Sequence, residues 1–539
     1  MPHDFGSAKP APPATPASSV PTVRRSRFFA LDRVTIAAFL LGAVTAAGFA
    51  PLYLFPLPVG TIATLLWLWR GADTPKRAAA IGWWFGLGLF LTGVSWVYVS
   101  LSTFGAMPAP LAAFFTFLFC AFLALFPAVT AYCFYALRSP PWMKLVVIAP
   151  AAWTLTEWIR GWIFTGFPWL AVGYSQVPSS PLAGYAPVLG IFGTSLATVA
   201  SAGLLVLIAE AIRSRRRHGA AAAGGSLPLA RPLIPLTAAL LALWLGGYAL
   251  KQVSWTEPAG EPVEVTLLQG NIPQAIKWTA EGLRTTLNRY RELALASHSK
   301  LIVFPETAIP LFLRDIPAEY LAELADHARH NGGDVLIGVP EQLATGDYYN
   351  SVISLGMSPI QAYRKSHLVP FGEFIPVRPV LGWLVSVLAI PLQDFSRGAI
   401  DQQPLAVAGQ RVALNICYED VFGEEIIRQL PQATLLVNVS NVAWFGHSIA
   451  PYQHLQISQA RAMETGRYML RATNTGMTGV VDPRGKVVEV APQFSTAAVN
   501  ARIQGYSGAT PYVRIGNTAV LALCALMLGA GAWFARRRR

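Results

Sequence analysis

The sequence predicts a multi-pass α-helical membrane domain, with about eight spans, joined to an exported α/β domain. Three observations predict it. Of 539 residues, 53% are hydrophobic and only 13% charged, where a soluble globular chain carries about 25% charged residues. Apolar runs of spanning length recur, separated by short basic clusters. One long stretch, about 258–505, is polar enough to fold in water and alternates strand-like with helix-like segments. The mean hydropathy of +0.44 calls for a bilayer as solvent over much of the chain.

The N-terminal residues 1–23 are rich in Pro, Ala and Ser. They cannot bury enough apolar surface to offset chain entropy and are expected to be disordered. Arg24, Arg25 and Arg27 follow. A cleaved signal peptide is disfavoured, because one anchor explains none of the apolar runs behind it.

Candidate spans lie near 34–50, 57–70, 79–100, 108–137, 143–160, 184–212, 232–250 and 517–535. Crossing the hydrocarbon core takes roughly 20 apolar residues. The second run is short, and the fourth and sixth are long enough to tilt or project. Basic residues fall before the first run, at Arg70, Lys76 and Arg77, at Arg138 and Lys144, at Arg213 and Arg215–Arg217, and at Arg536–Arg539. The intervening loops near 51–56, 101–107 and 161–183 contain no Lys or Arg. The positive-inside rule makes the basic side cytoplasmic. Charge and parity then agree: the polar stretch is exported and both termini are cytoplasmic. The net charge of +13 is a topology signal of this kind, and no nucleic-acid footprint is read from it. The expected domains are 1–28 (disordered N-terminus), 29–255 (membrane), 256–508 (exported) and 509–539 (last helix and basic tail).

Within the exported stretch, strands are expected at Val263–Leu268, Leu301–Phe304, Val335–Val339, Ser351–Leu355, Val412–Cys417, Leu435–Val439 and Thr478–Val481. Helices are expected near 280–297, 317–330, 423–429 and 453–469. That alternation predicts a layered α/β domain.

Four cysteines occur, and Cys120, Cys133 and Cys524 sit in apolar runs as small hydrophobes. Cys417 has no disulfide partner in its own domain. It ends a strand pattern and precedes Tyr418, Glu419 and Asp420. A nucleophile at a strand-to-helix turn is exposed, with backbone N–H groups from Tyr418 onward aimed at a developing oxyanion. A buried structural cysteine fits the context equally well. Glu306, just after Leu301–Phe304 and Pro305, is a general base or a solvated loop carboxylate. Lys365, in Arg364-Lys365-Ser366-His367, is an oxyanion stabiliser or a surface lysine. His367 reads as structural. Glu157 and Arg160 share a helical face near the outer end of a run and read as an ion pair or a functional pair. No Cys/His cluster suggests a metal.

Taken together, Phe304-Pro305-Glu306, Arg364-Lys365 and Cys417-Tyr418-Glu419 resemble the carbon–nitrogen hydrolase (nitrilase) superfamily, whose triad is Glu, Lys and Cys in that order. The resemblance implies a four-layer αββα sandwich, with Glu306 as base and acid, Lys365 as oxyanion stabiliser and Cys417 as nucleophile. Further runs are Gln269-Gly270-Asn271-Ile272-Pro273-Gln274 with Lys277-Trp278, His367 to Glu373, and Ala443-Trp444-Phe445-Gly446. Glu157-Trp158-Ile159-Arg160 and Gly166-Phe167-Pro168-Trp169 complete the set. With apolar runs on both sides, the chain resembles the apolipoprotein N-acyltransferase family of the bacterial inner membrane. That implies ping-pong acyl transfer from phospholipid, through a Cys417 thioester, to the N-terminal amine of a diacylglyceryl-modified apolipoprotein. It implies no cofactor and a monomer.

In that setting Glu373 is placed to support Lys365 or gate the cleft, and Tyr418 and Glu419 to position the turn. Trp278 and Trp444 are lid or cleft residues, or ordinary packing. One departure is Val442, where the family usually has Asp; its side chain cannot hydrogen-bond, so loop order near Trp444 is expected to differ. Two other readings share these features. A membrane-anchored amidase would use the same triad with water as second nucleophile. A silent scaffold or transporter would form no thioester.

Overall fold

The computed structural model describes residues 31–219, 233–375 and 395–537. The expected disorder of residues 1–23, and Arg24, Arg25, Arg27, Arg538 and Arg539, lie outside the described residues.

Each of the eight apolar runs is helical. Among the described residues, four helices are long and apolar enough to cross a membrane: Ala109–Ala136, Pro181–Arg216, Leu233–Gln252 and Thr518–Arg537. A fifth arises if Pro75–Gly93 and Val97–Phe104, bent by 58°, count as one. The remaining runs form the shorter helices Arg33–Thr45, Pro56–Arg70 and Ala149–Arg160. They pack by close backbone approach. A Cβ at Gly42 would lie 1.9 Å from the Phe85 carbonyl oxygen, and one at Gly88 would lie 2.0 Å from that of Phe39. Only glycine allows these two helices to meet so closely.

The polar stretch folds as two mixed six-stranded sheets. The strands are β1 Glu257–Gln269, β2 Leu301–Val303, β3 Asp334–Gln342, β4 Tyr348–Gly356, β5 Ala362–Arg364 and β6 Leu405–Val407. They continue with β7 Gln410–Ile416, β8 Leu435–Ser440, β9 Met469–Thr473, β10 Gly479–Val481, β11 Val487–Val490 and β12 Ala497–Ser507. One sheet runs β12-β1-β2-β3-β4-β5 and the other β11-β10-β9-β8-β7-β6. In both, a parallel core (β1-β2-β3 and β7-β8-β9) carries antiparallel edges.

The period-2 pattern of each strand sets the layers. Val265, Leu267, Leu301, Val303 and Leu336 of one sheet meet Val412, Leu414, Leu435 and Val437 of the other in a common core. The alternate residues Ile302, Val335 and Ile337 face outward against Tyr290, Ala294, Leu324 and Ala328 of helices Ala280–Leu295 and Ala318–His330. On the opposite side, Ala413, Leu436 and Met469 pack on Leu455 and Ala462 of helix Ala450–Thr465. This is the αββα layering. A one-residue slip in any strand would swap its two apolar sets, and each buried Leu or Val contributes roughly 1.5–3 kcal/mol.

Helix Ala450–Thr465 is buried along its whole length. Its outer side is covered by the apolar helices, and glutamines three residues apart make the joint. Gln453 Oε1 accepts from the Trp96 and Trp169 indole N–H groups at 3.1 and 2.7 Å. Gln456 Oε1 accepts from the Ala50 N–H at 2.9 Å, and Gln459 Oε1 from the Tyr53 hydroxyl at 3.2 Å.

Candidate active site

Three strand ends deliver the three chemical groups. Glu306 follows β2, Lys365 follows β5 and Cys417 follows β7. The turn at Glu306 is seated on Gly338 of β3, where a Cβ would lie 2.1 Å from the Pro305 carbonyl oxygen. Cys417 itself has φ +56°, a left-handed conformation that a non-glycine residue adopts at a cost. It opens a 3-10 turn, Cys417–Val421, before a single helical turn, Gly423–Ile426. The helical stretch expected near 423–429 is present, as that turn continued by the 3-10 segment Ile427–Gln429.

The groups converge. Lys365 Nζ lies 2.8 Å from Glu373 Oε1 and 3.6 Å from Glu306 Oε1. The Cys417 thiol lies near the Glu306, Lys365 and Glu373 charges, each of which acts on it. Both glutamates are held. Glu306 Oε2 accepts from the Asn441 N–H at 2.8 Å, and Glu373 Oε2 from the Val369 N–H at 2.8 Å. Asn350 of β4 donates to Glu306 Oε1 at 2.8 Å and to Glu373 Oε1 at 3.1 Å. Its carbonyl receives the Lys365 N–H at 2.8 Å.

Burial by itself would depress the Lys365 ammonium. Glu373, Glu306 and Cys417 outweigh it and hold Lys365 above its ordinary range. The Cys417 thiol is pushed well up, by burial first and then by Glu306, with Lys365 only partly offsetting them. Cys417 is half-buried, and the raised thiol favours its protonated form. Lys277 is also buried near Glu306, and burial pushes its ammonium down to about 8.

Glu419 lies beneath the site. Its carboxylate accepts from the Ser366 and His367 N–H groups at 2.7 and 3.0 Å, and from the Ile416 N–H at 2.7 Å. Tyr418 points the other way: its hydroxyl donates to the Gly166 carbonyl at 2.8 Å and its ring stacks on Trp169. Trp444 packs edge-to-face on Phe104, and its carbonyl accepts from Ser100 Oγ at 2.8 Å. Trp278 is 55% exposed and sits outside the cluster.

Two expectations are altered. Glu157 and Arg160 form no ion pair with each other among the described residues. Glu157 instead accepts from Trp153, Val172 and Ser195, while Arg160 donates to the Phe167 and Trp169 carbonyls. A helical spacing of three put them on one face, but Arg160 turns to carbonyls of the following loop and Glu157 to Trp153 of its own helix, Val172 and Ser195. Val442 does not loosen its loop: it is buried against Gly476, and the adjacent Asn441 makes the polar contacts, donating to Gln274 as well as to Glu306. Asn350 was not singled out in the sequence, because the strand was expected to begin one residue later. The available signal was an asparagine inside a strand pattern, a residue depleted there. His367 bonds Glu425 at 2.9 Å and stacks on Phe422, a structural placement.

Residues 264–512 match the family described as Carbon-nitrogen hydrolase, and residues 41–204 match Apolipoprotein N-acyltransferase N-terminal domain. The decisive likeness covers both parts at once. A protein of Nitrosomonas europaea named Apolipoprotein N-acyltransferase is 55% identical over 510 residues, spanning 94% of this chain and 98% of that one. This chain belongs to the apolipoprotein N-acyltransferase family. Relatives of the same name from Methylococcus capsulatus and Chromobacterium violaceum are 45% and 43% identical, each across more than nine-tenths of both chains. In this family member, then, a nitrilase-like domain and a set of apolar helices are one continuous structure, joined through the Gln453 helix.

Proposed function

We propose that this chain transfers an acyl chain from phospholipid, through a thioester on Cys417, to the N-terminal amine of diacylglyceryl-modified apolipoproteins. The observation that carries the reading is the convergence of Cys417, Glu306 and Lys365 in a protein of this family. In the first half, Glu306 takes the thiol proton as sulfur attacks the ester carbonyl. The resulting oxyanion faces the Lys365 ammonium and the Tyr418 N–H. Collapse expels the lysophospholipid alkoxide, which takes the proton from Glu306. In the second half, Glu306 receives a proton from the incoming amine. The amide forms and the thiolate leaves, recovering that proton. One carboxylate therefore serves both halves, and neither half needs a metal or nucleotide.

The apolar helices account for two lipid substrates, whose reacting groups lie at headgroup level. In the proposed topology the chain spans the inner membrane about eight times. Residues 1–28 and the basic tail of 509–539 are then cytoplasmic. The helices fill 29–255, the catalytic domain 256–508 is periplasmic, and the protein works as a monomer. Glu373 sets the position of Lys365, Glu419 and Tyr418 hold the nucleophile turn, and Trp278 and Trp444 border the lipid cleft.

Intact-mass spectrometry of protein mixed with phospholipid tests the reading, wild type beside Cys417→Ser. A hydroxylamine-labile acyl adduct on wild type alone is expected. Turnover of a soluble amide without any acyl adduct from phospholipid would instead establish the amidase reading.

A further inference from the structure

Behind Cys417 lies a buried polar network that the acyl-transfer chemistry does not use. Asn438, in the middle of β8, is fully buried. Its Nδ2 donates to the Cys417 carbonyl at 3.1 Å and to Asn415 Oδ1 at 2.6 Å. Its Oδ1 accepts from Arg471 Nη1 and Ser440 Oγ, both at 2.7 Å. Two donors on one side and two acceptors on the other leave only one orientation of the amide; a flip would set donors against donors. Arg471 is itself fixed. Its Nη1 also reaches Asp420 Oδ2 at 3.1 Å, and Asp420 is held by His454 at 2.6 Å and Ser458 at 2.8 Å. All of these side chains are buried.

The consequence follows from the peptide bond. The unit joining Cys417 to Tyr418 is planar, and in the trans form its C=O and N–H point in opposite directions. Gripping the carbonyl from behind therefore aims the N–H forward. Residue 418 lies in the first turn of a helix, where N–H groups have no intrahelical partner. Cys417 at φ +56° has no local preference for this conformation, so it must be imposed from outside.

We infer that Asn438 is a positioning residue that aims the Tyr418 N–H at the oxyanion of acyl transfer by holding the carbonyl on the far side of the same peptide plane. Arg471 and Asp420 orient the Asn438 amide. The inference rests on the Cys417 reading above.

The test compares two reactions of Cys417 in the full-length protein. Acylation by phospholipid passes through an oxyanion. Alkylation by iodoacetamide displaces iodide at a CH2 carbon and does not. In Asn438→Ala, the rate of thioester formation should fall by about ten- to a hundredfold at saturating phospholipid, a fraction of the loss typical of deleting an oxyanion donor. The half-saturating phospholipid concentration and the alkylation rate should stay within about twofold. Asn438→Leu, which roughly keeps the volume and loses the donor without adding a charge, should behave alike and serves if the alanine variant does not fold. An unchanged acylation rate, or a parallel fall in both reactions, would overturn the inference. If wild type forms no thioester, or Cys417→Ser retains it, the Cys417 reading falls instead.

Discussion

Glu419 Oε1 accepts the backbone N–H of Ser366 at 2.7 Å, so the loop that carries the lysine is tied to the turn that carries the cysteine. The other oxygen, Oε2, holds the Ile416 N–H at 2.7 Å and the Tyr363 hydroxyl at 2.9 Å. One buried carboxylate thus sets the distance between Lys365 and Cys417, two residues 52 positions apart in the chain. Backbone donors pointing inward demand an acceptor at both oxygens.

Glu419→Gln supplies only one oxygen and turns an NH2 toward donors. We expect thioester formation to fall by at least about a hundredfold, with a loss of roughly 1–3 kcal/mol in stability. Denaturant melts and adduct kinetics on the same samples check both halves. Full activity in the variant would show that the clasp does not govern the site.

The raised Cys417 thiol makes a pH prediction. A thiol held above its ordinary value stays protonated as pH rises through 9, so iodoacetamide labelling should climb only at more alkaline pH. Glu306→Gln removes a negative charge that raises the thiol while leaving Lys365 in place. Its labelling midpoint should move to lower pH, even as acyl transfer is lost. Opposite movements of labelling and transfer separate the electrostatic role of Glu306 from its role as base.

Gln453 joins the two parts of the protein. Gln453→Leu would leave the Trp96 and Trp169 indole N–H groups without their shared acceptor. Each unsatisfied buried donor costs about 1–3 kcal/mol. Trp96 Nε1 keeps the Gly93 carbonyl at 3.1 Å, so the smaller part of the loss should come from that side. Thermal melts in detergent should drop by several degrees, and loss of stability should be reduced in a Trp169→Phe background, which has no donor to strand.

Val442 and Gly476 form a steric pair. A Cβ on Gly476 would lie 2.1 Å from Val442 Cγ2. Gly476→Ala should therefore destabilise by about 1–3 kcal/mol through overpacking. In a Val442→Ala background the same change should cost measurably less. Equal costs in the two backgrounds would mean that the clash is not what disfavours the methyl group.

The apolar runs and the layered domain were legible because each is written locally. A run of apolar residues announces a helix that avoids water, and strand alternation announces two faces. The edges were less legible. β5, β6, β9, β11 and β12 escaped the strand reading; β5, β6 and β11 are short strands of three or four residues, too few to display a period. Asn350 and Asn438 were hidden for a related reason: a single polar residue inside a strand has no pattern of its own.

By itself the sequence determined which segments are apolar helices and which stretch folds as the layered α/β domain, since these depend on composition and local period; the order Glu306, Lys365, Cys417 came from resemblance to a family. The tertiary structure alone decided that Glu157 and Arg160 bind separate partners and not each other. It also decided that Val442 is a packing residue and that Asn350, Glu419 and Asn438 hold the site together. The physical reason is that a buried polar group is satisfied by whatever lies within about 3 Å in space. For these residues the partners are separated along the chain by up to tens of positions, where no local period reaches.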